Sequence, residues 1–293
     1  MILVTGANGF LGKHICQVIP AAELCTLSRT DACMAIDIIK PFLLPDEQIS
    51  TIIHAAGKAH SIPKTETEEQ EFYKVNAEGT KHLLHALEQL STLPKAFVLI
   101  STVAVYGLDQ GINIAEDTAL QATSAYGKSK IMAETIVQQW CIKHHVCCTI
   151  LRLPLLAGDN APGNLGKMQE AINKGRYYNI AGGRAHKSMV LASDVANAIK
   201  PLSAIGGIYH LTDGQHPTFA ALSQAMAAKA GKKPPLSIPY VLARLAATLG
   251  TIIPGFPFNR STLEKMTADL TFNDDKARST GAWTPQSVLD FYR

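Results

Sequence analysis

The 293-residue sequence has no large surplus of either charge, because 27 basic side chains are balanced by 24 acidic ones and the formal net charge is +3. This balance gives no electrostatic argument for nucleic acid or an anionic membrane as a partner. Internal repeats and low-complexity tracts are also absent. The hydrophobic fraction of 47% and the charged fraction of 17% exclude disordered and fibrous chains. The sequence therefore predicts a globular protein of one large or two modest domains.

The six cysteines follow no metal-binding or redox pattern. They include no Cys-x-x-Cys pair, and none lies near histidines at zinc-ligand spacing. Neighbouring Cys147 and Cys148 belong to an apolar run, where buried thiols act as small hydrophobic groups. The even count permits three disulfides, but a chain of this length builds its own core and no signal peptide precedes the first apolar run. We therefore predict no metal site and a reducing, cytoplasmic environment.

The longest apolar stretch, residues 236–258, lacks the continuity of a membrane-spanning helix. A spanning helix needs about 20 predominantly apolar residues, whereas this stretch contains Arg244 and is interrupted by three prolines. We predict an amphipathic helix over residues 241–253 that covers a core or forms an oligomer face, without stable membrane insertion. Loose association with a membrane surface is the alternative.

Short apolar runs alternate with helical patterns through the first half of the chain. This alternation is typical of βαβ units and predicts an α/β fold with a doubly wound parallel sheet, because the crossovers are right-handed. Residues 155–187 are rich in glycine and proline, and a more irregular region begins near residue 215. The predicted strands span residues 2–5, 24–27, 34–37, 51–56, 96–101, 146–152 and 207–211, and the main predicted helices 68–90, 126–144 and 193–199.

The N-terminal glycines form a phosphate-binding pattern. Gly6, Gly9 and Gly12 are spaced GxxGxxG, directly after a predicted strand and at the start of a helix. Glycine there permits a tight turn and close approach of the backbone to a pyrophosphate. The helix N-terminus adds free N–H groups and the positive end of the helix dipole. In this context the pattern predicts a dinucleotide site, with an ordinary glycine-rich turn as the alternative.

The end of the second predicted strand favours NADP(H) over NAD. An acidic residue at this position binds the ribose hydroxyls of NAD, whereas a basic one accommodates the 2′-phosphate of NADP. Ser28 and Arg29 end the strand and provide a hydroxyl and a guanidinium group. NAD stays possible if Asp31 holds the ribose and Arg29 is solvated. Asp37 is placed to meet the adenine amino group or to cap a loop.

A tyrosine and a lysine form the candidate catalytic pair. Tyr126 and Lys130 lie one helical turn apart on the same face. The ordinary pKa of tyrosine, near 10, is too high for proton exchange at neutral pH, and a nearby ammonium lowers it. Thr102 follows the strand predicted at 96–101, at the strand end where open α/β sheets place their chemistry. Its hydroxyl is the candidate bond to a substrate oxygen; Ser101 is expected to point into the fold.

These and further motifs resemble the extended short-chain dehydrogenase/reductases of the NAD-dependent epimerase/dehydratase family, particularly nucleotide-sugar 4-ketoreductases and epimerases. The resemblance covers nearly the whole chain and implies a Rossmann-type fold. It assigns residues 1–154 to an NAD(P)-binding domain, to which 188–213 return, and residues 155–187 and 214–293 to a smaller substrate-binding lobe. The motifs are TGANGFLG, HAAG, VNAEGT, ISTVAVYG, YGKSK, RLP, KSMV, DVA and GAWTP.

The resemblance also implies roles for individual residues. Tyr126 is the acid/base, Lys130 its partner and a ribose contact, and Thr102 the hydroxyl donor. With the strand-end residues, those assigned to the cofactor are Gly6, Asn8, Gly9, Phe10, Leu11, Gly12, Ser28, Arg29, Asp37, Ile38, Ala55, Ala56, Gly57, Asn76 (more structural in the family), Tyr126, Lys130 and Leu153. Those assigned to the substrate are His60, Thr102, Asn164, Lys167 and Lys187.

Two of the substrate assignments leave alternatives open. His60 faces the sugar in one interpretation and is a solvated loop histidine in the other. Lys187 stands where many family members have an arginine near the diphosphate, and nearby Arg184 is a candidate to share that contact.

Within the family the sequence favours reduction. The related dehydratases carry an Asp-Glu pair after the catalytic threonine, whereas Val103 and Ala104 cannot transfer protons. A reductase consumes NADPH, so Ser28 and Arg29 favour reduction over epimerisation, in which bound NAD is recycled. Residues 54–60 resemble reductases of UDP-4-keto-6-deoxy-N-acetylhexosamines, which implies a role in surface polysaccharide biosynthesis. An NAD-dependent nucleotide-sugar 4-epimerase is the alternative, and a non-catalytic nucleotide-binding regulator a more remote one.

The implied partner is a nucleotide-diphosphate sugar. The sequence leaves open the configuration produced at C4 and the presence of an acetamido group at C2. The resemblance also permits a homodimer through helices at 69–90 and 126–144, and the oligomeric state stays open.

Overall fold

The computed structural model describes residues 1–59, 61–252 and 258–293. Its strands are β1 Ile2–Thr5, β2 Leu24–Ser28, β3 Met34–Ala35, β4 Thr51–His54, β5 Ala96–Thr102, β6 Gly111–Ile114, β7 Cys147–Leu153, β8 Leu155–Ala157, β9 Asn179–Ile180, β10 Met189–Leu191, β11 Gly207–His210, β12 Ser237–Ile238 and β13 Leu270–Phe272. Its α-helices are α1 Phe10–Val18, α2 Glu66–Tyr73, α3 Gly79–Glu88, α4 Ala125–His144, α5 Gly163–Asn173, α6 Ala192–Ile205, α7 Phe219–Lys229, α8 Tyr240–Ile252, α9 Arg260–Thr267, α10 Asp275–Ser279 and α11 Val288–Phe291.

Seven of these strands form a parallel sheet in the order β11-β7-β5-β4-β1-β2-β3. The order reverses between β1 and β4, and ligands of open α/β sheets bind at the carboxyl ends of the strands at this point. Every strand predicted from an apolar run belongs to this sheet, so the predicted doubly wound fold is confirmed. The run predicted at 51–56 ends earlier, at His54, because the N–H of Ala56 donates to the side chain of Thr5.

Apolar layers cover both faces of the sheet, as expected for parallel strands enclosed by crossover helices. Successive strand residues point to opposite faces, so Val4 packs in the layer with α1 and α6 while Leu3 packs in the layer with α3 and α4. The strands are held between helices on both sides, and their carboxyl ends are where a ligand of such a sheet binds.

The helix predicted over residues 68–90 is interrupted. Helices α2 and α3 are joined by a π-helical segment, Lys74–Glu78, which contains buried Asn76. π-helical turns widen a helix locally and occur often at functional sites. The interruption follows from hydrogen bonds that Asn76 makes outside its own helix, which residue periodicity does not reveal.

Residues 155–187 contain more regular structure than their glycine and proline content indicated. Helix α5 occupies 163–173, and its Leu165, Met168 and Ile172 face inward against α7 and α11. The isolated glycines and prolines of this segment mark the ends of short elements rather than a continuous loop.

The longest apolar stretch contains α8, and residues 253–257 lie outside the described part of the chain. None of the helices built from described residues is long and apolar enough to cross a membrane. The inward side of α8 consists of small residues, including Ala243 and Ala247, which pack against Leu263 of α9. Val241, Leu242, Leu245 and Leu249 of α8 are exposed, which differs from the predicted helix that covers a core with its apolar face; the alternative, an oligomer face, stays a prediction.

Candidate active site

In the glycine-rich loop between β1 and α1, a side chain at Gly6 or Gly12 would clash with neighbouring backbone atoms. Gly6 has a φ of +72°, and a Cβ at this position would lie 2.6 Å from the nitrogen of Ala56. A Cβ at Gly12 would lie 2.1 Å from the carbonyl oxygen of Gly6. Gly9, the N-cap residue of α1, has no side chain that could hydrogen-bond to the start of the helix. The first N–H groups of α1, including those of Phe10 and Leu11, are therefore available to an anion, as a pyrophosphate requires.

The end of β2 lies beside this loop. Asn8 Nδ2 donates to Ser28 Oγ at 3.0 Å and to the carbonyl oxygen of Thr30 at 2.7 Å. Arg29 is exposed, and no described residue pairs with its guanidinium group. Asp31 is also exposed and has a positive φ of 50°. This edge thus presents the hydroxyl of Ser28 and, as far as the described residues show, an unpaired guanidinium group of Arg29.

Asp37 and Ile38 follow β3 in the chain. Asp37 Oδ1 accepts from the N–H of Ile39 at 3.3 Å, so the carboxylate caps a turn. Buried Ile38 packs against Gly79, where a Cβ would lie 2.9 Å from its Cδ1 atom. His82 Nδ1 donates to the carbonyl oxygen of Ile38 at 2.9 Å. These contacts favour a structural role for both residues, and the adenine contact of Asp37 stays a prediction.

Buried His54 fixes the segment that follows β4. Thr80 Oγ1 donates to the carbonyl oxygen of Asn76 at 2.6 Å, so it accepts from His54 Nε2, 2.9 Å away. His54 Nδ1 is then the acceptor for the hydroxyl of Thr5 at 2.6 Å, and Thr5 Oγ1 accepts in turn from the N–H of Ala56. Burial lowers the pKa of His54 to about 3, so the ring is neutral.

Asn76 connects the same segment to the catalytic helix. Its Oδ1 accepts from the N–H of Lys58 at 2.7 Å, and its Nδ2 donates to the Lys58 carbonyl and to Ser129 Oγ. A Cβ at Gly57 would lie 3.1 Å from Asn76 Oδ1, so glycine lets the two segments approach. Asn76 thereby fixes Ala55, Ala56 and Gly57 relative to α4, in keeping with the structural role that the resemblance implied.

Thr102 and Tyr126 meet at the carboxyl end of β5. Thr102 Oγ1 accepts from the N–H of Ala104 at 3.2 Å, and the Thr102 hydroxyl is close enough to the phenolic group of Tyr126 to affect its pKa. Ser124 caps α4 by accepting from the N–H of Gly127, so that Tyr126 lies in the first turn of the helix. Burial raises the pKa of Tyr126, and the hydrogen bond with Thr102 acts in the opposite direction.

Lys130 lies one turn further along α4 and is buried. Its Nζ donates to the carbonyl oxygen of Ile100 at 2.6 Å. Burial lowers the pKa of Lys130 to about 8, and the carboxylate of Glu134 acts against this shift. The sequence predicts that this ammonium lowers the pKa of Tyr126; the bond to Ile100 uses one of its three N–H groups and leaves that prediction open.

Sequence reasoning missed a buried polar network behind these residues. Glu134 forms an ion pair with Arg152 and accepts a hydrogen bond from Ser101. Arg152 Nη1 also donates to Tyr106 Oη at 2.8 Å, and that hydroxyl donates to His210 Nε2 at 2.6 Å. The network confirms that Ser101 points into the fold. A signal was available: Lys130 and Glu134 have the i, i+4 spacing of an ion pair on one helix face.

Leu153, which was assigned to the cofactor, and the proposed substrate residues lie on several different elements. Leu153 pairs directly with Thr102 in the register of β7 and β5. Asn164 and Lys167 are exposed in the first turns of α5. Lys187 is buried, and its Nζ donates to the carbonyl oxygen of Lys265 at 3.0 Å. Burial lowers the pKa of Lys187, which Asp269 and Asp109 oppose.

Of two further residues that the sequence proposed for the substrate, one can be placed. Arg184 is exposed three residues before Lys187, whereas His60 lies outside the described residues. Within the described part of the chain, no group of three or more His, Cys, Asp or Glu side chains could hold a metal ion.

Comparison with known proteins finds similarity over most of the chain. The family described as "NAD dependent epimerase/dehydratase family" matches residues 2–203. The N-acetyl-alpha-D-glucosaminyl-diphospho-ditrans,octacis-undecaprenol 4-epimerase of Escherichia coli O157:H7 is 25% identical over 309 aligned positions, which cover 98% of this chain and 91% of that protein. The GDP-6-deoxy-D-mannose reductase of Pseudomonas aeruginosa is 30% identical over 146 positions, which cover 48% of this chain and 47% of that protein.

A solved structure of the same fold carries a nicotinamide cofactor. The structure of RMD from Pseudomonas aeruginosa complexed with NADPH superimposes with a TM-score of 0.75 and 20% identity, and covers 100% of this chain and 96% of that one.

Proposed function

Because the chain belongs to the NAD-dependent epimerase/dehydratase family of extended short-chain dehydrogenase/reductases, we propose that it reduces the 4-keto group of a nucleotide-linked sugar with NADPH. Enzymes of this family are NAD(P)-dependent epimerases, dehydratases and reductases. The specific substrate we propose is a UDP-4-keto-6-deoxy-N-acetylhexosamine, used to build surface polysaccharide.

The observation that carries this proposal is the unpaired guanidinium of Arg29 beside the hydroxyl of Ser28. A 2′-phosphate binds well between a charged donor and a neutral one. Asn8 holds Ser28 Oγ in place, and the exposed carboxylate of Asp31 is not engaged with the loop around Gly9. NADPH serves reduction, since a reductase consumes it and releases the oxidised form after each turnover.

The residues at the carboxyl end of β5 can supply the one proton that reduction of the carbonyl consumes. When bound, the nicotinamide supplies a hydride to the carbonyl carbon of the sugar. The π electrons of the carbonyl move to its oxygen, and Tyr126 Oη donates its proton there, forming the alcohol. The raised pKa of Tyr126 keeps this proton in place at neutral pH, and the hydroxyl of Thr102 stabilises the phenolate that remains.

The other proposed groups bind rather than react. Lys130 fixes the start of α4 to the backbone of β5 through Ile100, and we assign its remaining N–H groups to a ribose hydroxyl of the cofactor. Exposed Lys167 and Arg184 supply positive charge for a diphosphate. The Nζ of Lys187 is hydrogen-bonded to the end of α9, so we propose that its ammonium group only supplements the positive charge of Lys167 and Arg184.

Dehydration is disfavoured at this site. The 3₁₀ turn that follows Thr102 begins with Val103 and Ala104, neither of which can transfer a proton. Elimination of water from a sugar needs an acid and a base of its own.

The second candidate is an NAD-dependent 4-epimerase of a sugar joined to a diphosphate. One specific observation favours it: the relative whose alignment covers 98% of this chain is a 4-epimerase, and its substrate carries the sugar on a polyprenyl diphosphate. In that case Tyr126 would first accept a proton, and Asp31 would hold the ribose of NAD.

A cofactor and product assay distinguishes the two candidates. Purified protein is titrated with NADPH and NADH by fluorescence and checked for bound nucleotide by absorbance. It is then supplied with UDP-4-keto-6-deoxy-N-acetylglucosamine and, in a parallel assay, with UDP-N-acetylglucosamine, which carries a hydroxyl at C4. Oxidation of NADPH with stoichiometric formation of the C4 alcohol supports the reductase. Interconversion of C4 epimers by NAD retained through purification, without added NADPH, overturns it in favour of the epimerase. A Tyr126→Phe protein is the blank in both assays.

A further inference from the structure

Helix α8 presents its aliphatic side chains to solvent rather than to the protein. Its inward positions, Ala243, Ala247 and Gly250, recur every three or four residues and are buried. The opposite positions carry larger groups that are well exposed: Val241 at 68% and Leu245 at 59%. Leu242 and Leu249 extend this exposed set, which we call the outer side of α8. In an amphipathic helix on the surface of a protein the larger apolar side chains normally face the core. In α8 these side chains face away from the protein.

The chain segment that contains this helix carries charge of one sign, and the nearest acidic residue in sequence after it is Glu264 of α9. Residues 214–263 contain no aspartate or glutamate, so the near-zero net charge of the whole chain conceals a local basic segment. Exposed Lys232 and Lys233 precede α8, and Arg244 lies within it at the edge of the outer side; none of the three has a partner among the described residues. The basic residues of the segment are Lys229, Lys232, Lys233, Arg244 and Arg260.

Helix α8 is attached directly to the part of the structure that carries the proposed diphosphate cations. Ala243 and Ala247 pack against Leu263 of α9 and against Ile180, next to the turn that ends before Arg184. The end of α9 in turn binds Lys187 through the carbonyl oxygen of Lys265. A surface that receives α8 would therefore lie one helix away from this side of the site.

We propose that the outer side of α8 is a docking surface for a lipid bilayer that contains anionic headgroups. An exposed apolar helix face with cations at its edge matches the boundary between headgroups and acyl chains, where leucines enter the apolar layer and arginine reaches the phosphates. The helix is about 20 Å long and lies along the surface rather than across the membrane. The basic segment selects anionic over zwitterionic lipid.

This inference goes beyond the proposed function and does not depend on it. The surface is formed by α8 and the preceding lysines, none of which belongs to the nicotinamide or sugar sites. Binding to vesicles is measured without cofactor or substrate, so failure of the lipid interaction and failure of the reductase assignment are separate results.

The experiment is co-sedimentation of the full chain with phosphatidylglycerol/phosphatidylcholine vesicles and with phosphatidylcholine vesicles. We expect the unchanged protein to sediment with the anionic vesicles and to remain largely in solution with the zwitterionic ones. In Leu245→Glu/Leu249→Glu, anionic binding should weaken at least about tenfold, since two leucines lose their apolar environment. In Lys232→Glu/Lys233→Glu the anionic preference should fall while weak binding to both vesicle types persists.

The matched control is Ile142→Glu/Ile205→Glu, which replaces two exposed isoleucines at the ends of α4 and α6. It should sediment like the unchanged protein. NADPH binding and the unfolding midpoint, measured for every variant, show that each one is folded. Equal vesicle binding by the α8 variant and the control overturns the proposal. So does an unchanged protein that ignores vesicles but forms a dimer lost in Leu245→Glu/Leu249→Glu, because the outer side would then receive a second copy of the chain.

Discussion

Glu134 and Arg152 form an ion pair that is buried on both sides, with 2.7 Å between Glu134 Oε2 and Arg152 Nη2. The pair joins α4, which carries Tyr126, to β7. The same carboxylate accepts from Ser101 of β5, so a single side chain ties the catalytic helix to two neighbouring strands. The position of Tyr126 relative to Thr102 therefore depends on the buried contacts of Glu134 as well as on the contacts within the site.

Breaking this pair should destabilise the fold strongly. Glu134→Ala leaves the guanidinium of Arg152 buried without its counter-charge, and we expect a loss of about 3–5 kcal/mol in the free energy of unfolding. Urea denaturation monitored by fluorescence measures it. Glu134→Gln, which keeps the shape and part of the hydrogen bonding, should lose less. A Glu134→Ala protein within 1 kcal/mol of the unchanged one, about the effect of an ordinary substitution, would contradict a structural role for the pair.

Removing the phenolic hydroxyl should abolish most of the activity without disturbing the fold. In Tyr126→Phe the proton donor is lost, and kcat should fall by about 10²–10⁴-fold. The ring keeps its contact with Phe72, whose centroid lies 6.0 Å away, so the unfolding midpoint and NADPH affinity should change little. Steady-state kinetics measures kcat, and Tyr178→Phe, which alters an exposed tyrosine, is the control. Retention of more than a tenth of kcat would remove Tyr126 from the role of acid.

Reversing the charge at the end of β2 should change the cofactor preference. In Arg29→Glu the 2′-phosphate loses a charge-assisted hydrogen bond, so NADPH affinity should fall by about ten- to a hundredfold. NADH has no 2′-phosphate and should bind about as before. Fluorescence titration of both cofactors provides the measurement, with Asp31→Asn as the comparison. A loss for NADH in Asp31→Asn, with NADPH unaffected by Arg29→Glu, would assign the ribose to Asp31.

Mild acid should weaken the fold through buried His54. Its pKa is about 3 in the folded chain and near 6.5 when exposed, so below pH 6.5 the unfolded state binds one more proton at this residue. Stability is complete above pH 6.5 and declines as the pH falls toward 3, with His54 contributing up to about 1.4 kcal/mol per pH unit. Burial also lowers the pKa of His210, which adds to the same trend.

The test is the slope of unfolding free energy against pH between 6 and 5, above the range in which most carboxylates titrate. His54→Asn can accept from Thr5 and donate to Thr80, but it does not titrate. Its stability at neutral pH should be lower, and its slope between pH 6 and 5 should be shallower than that of the unchanged protein. Identical slopes in the two proteins would mean that His54 is not the buried neutral group described above.

The local features of the site were accessible from the sequence because they depend on short-range geometry. Gly6 is favoured by the positive φ of its turn, Gly12 by a backbone contact six residues away, and Tyr126 and Lys130 are neighbours on any α-helix. The strands of the main sheet follow from apolar runs that must be buried on both faces. Each of these predictions rests on the period of one element or on the conformational freedom of one residue type.

The sequence by itself thus determined the parallel α/β architecture, the phosphate loop and the residues that could transfer a proton. Only the tertiary structure decided that Lys130 bonds the carbonyl of Ile100, that Asn76 lies in a π-helical turn, and that the leucines of α8 face solvent. The physical reason is that a hydrogen bond across elements, or the outward side of a helix, depends on which surfaces pack together. Residue spacing predicts which side chains share a face of a helix, but only the packing of the elements determines what that face contacts.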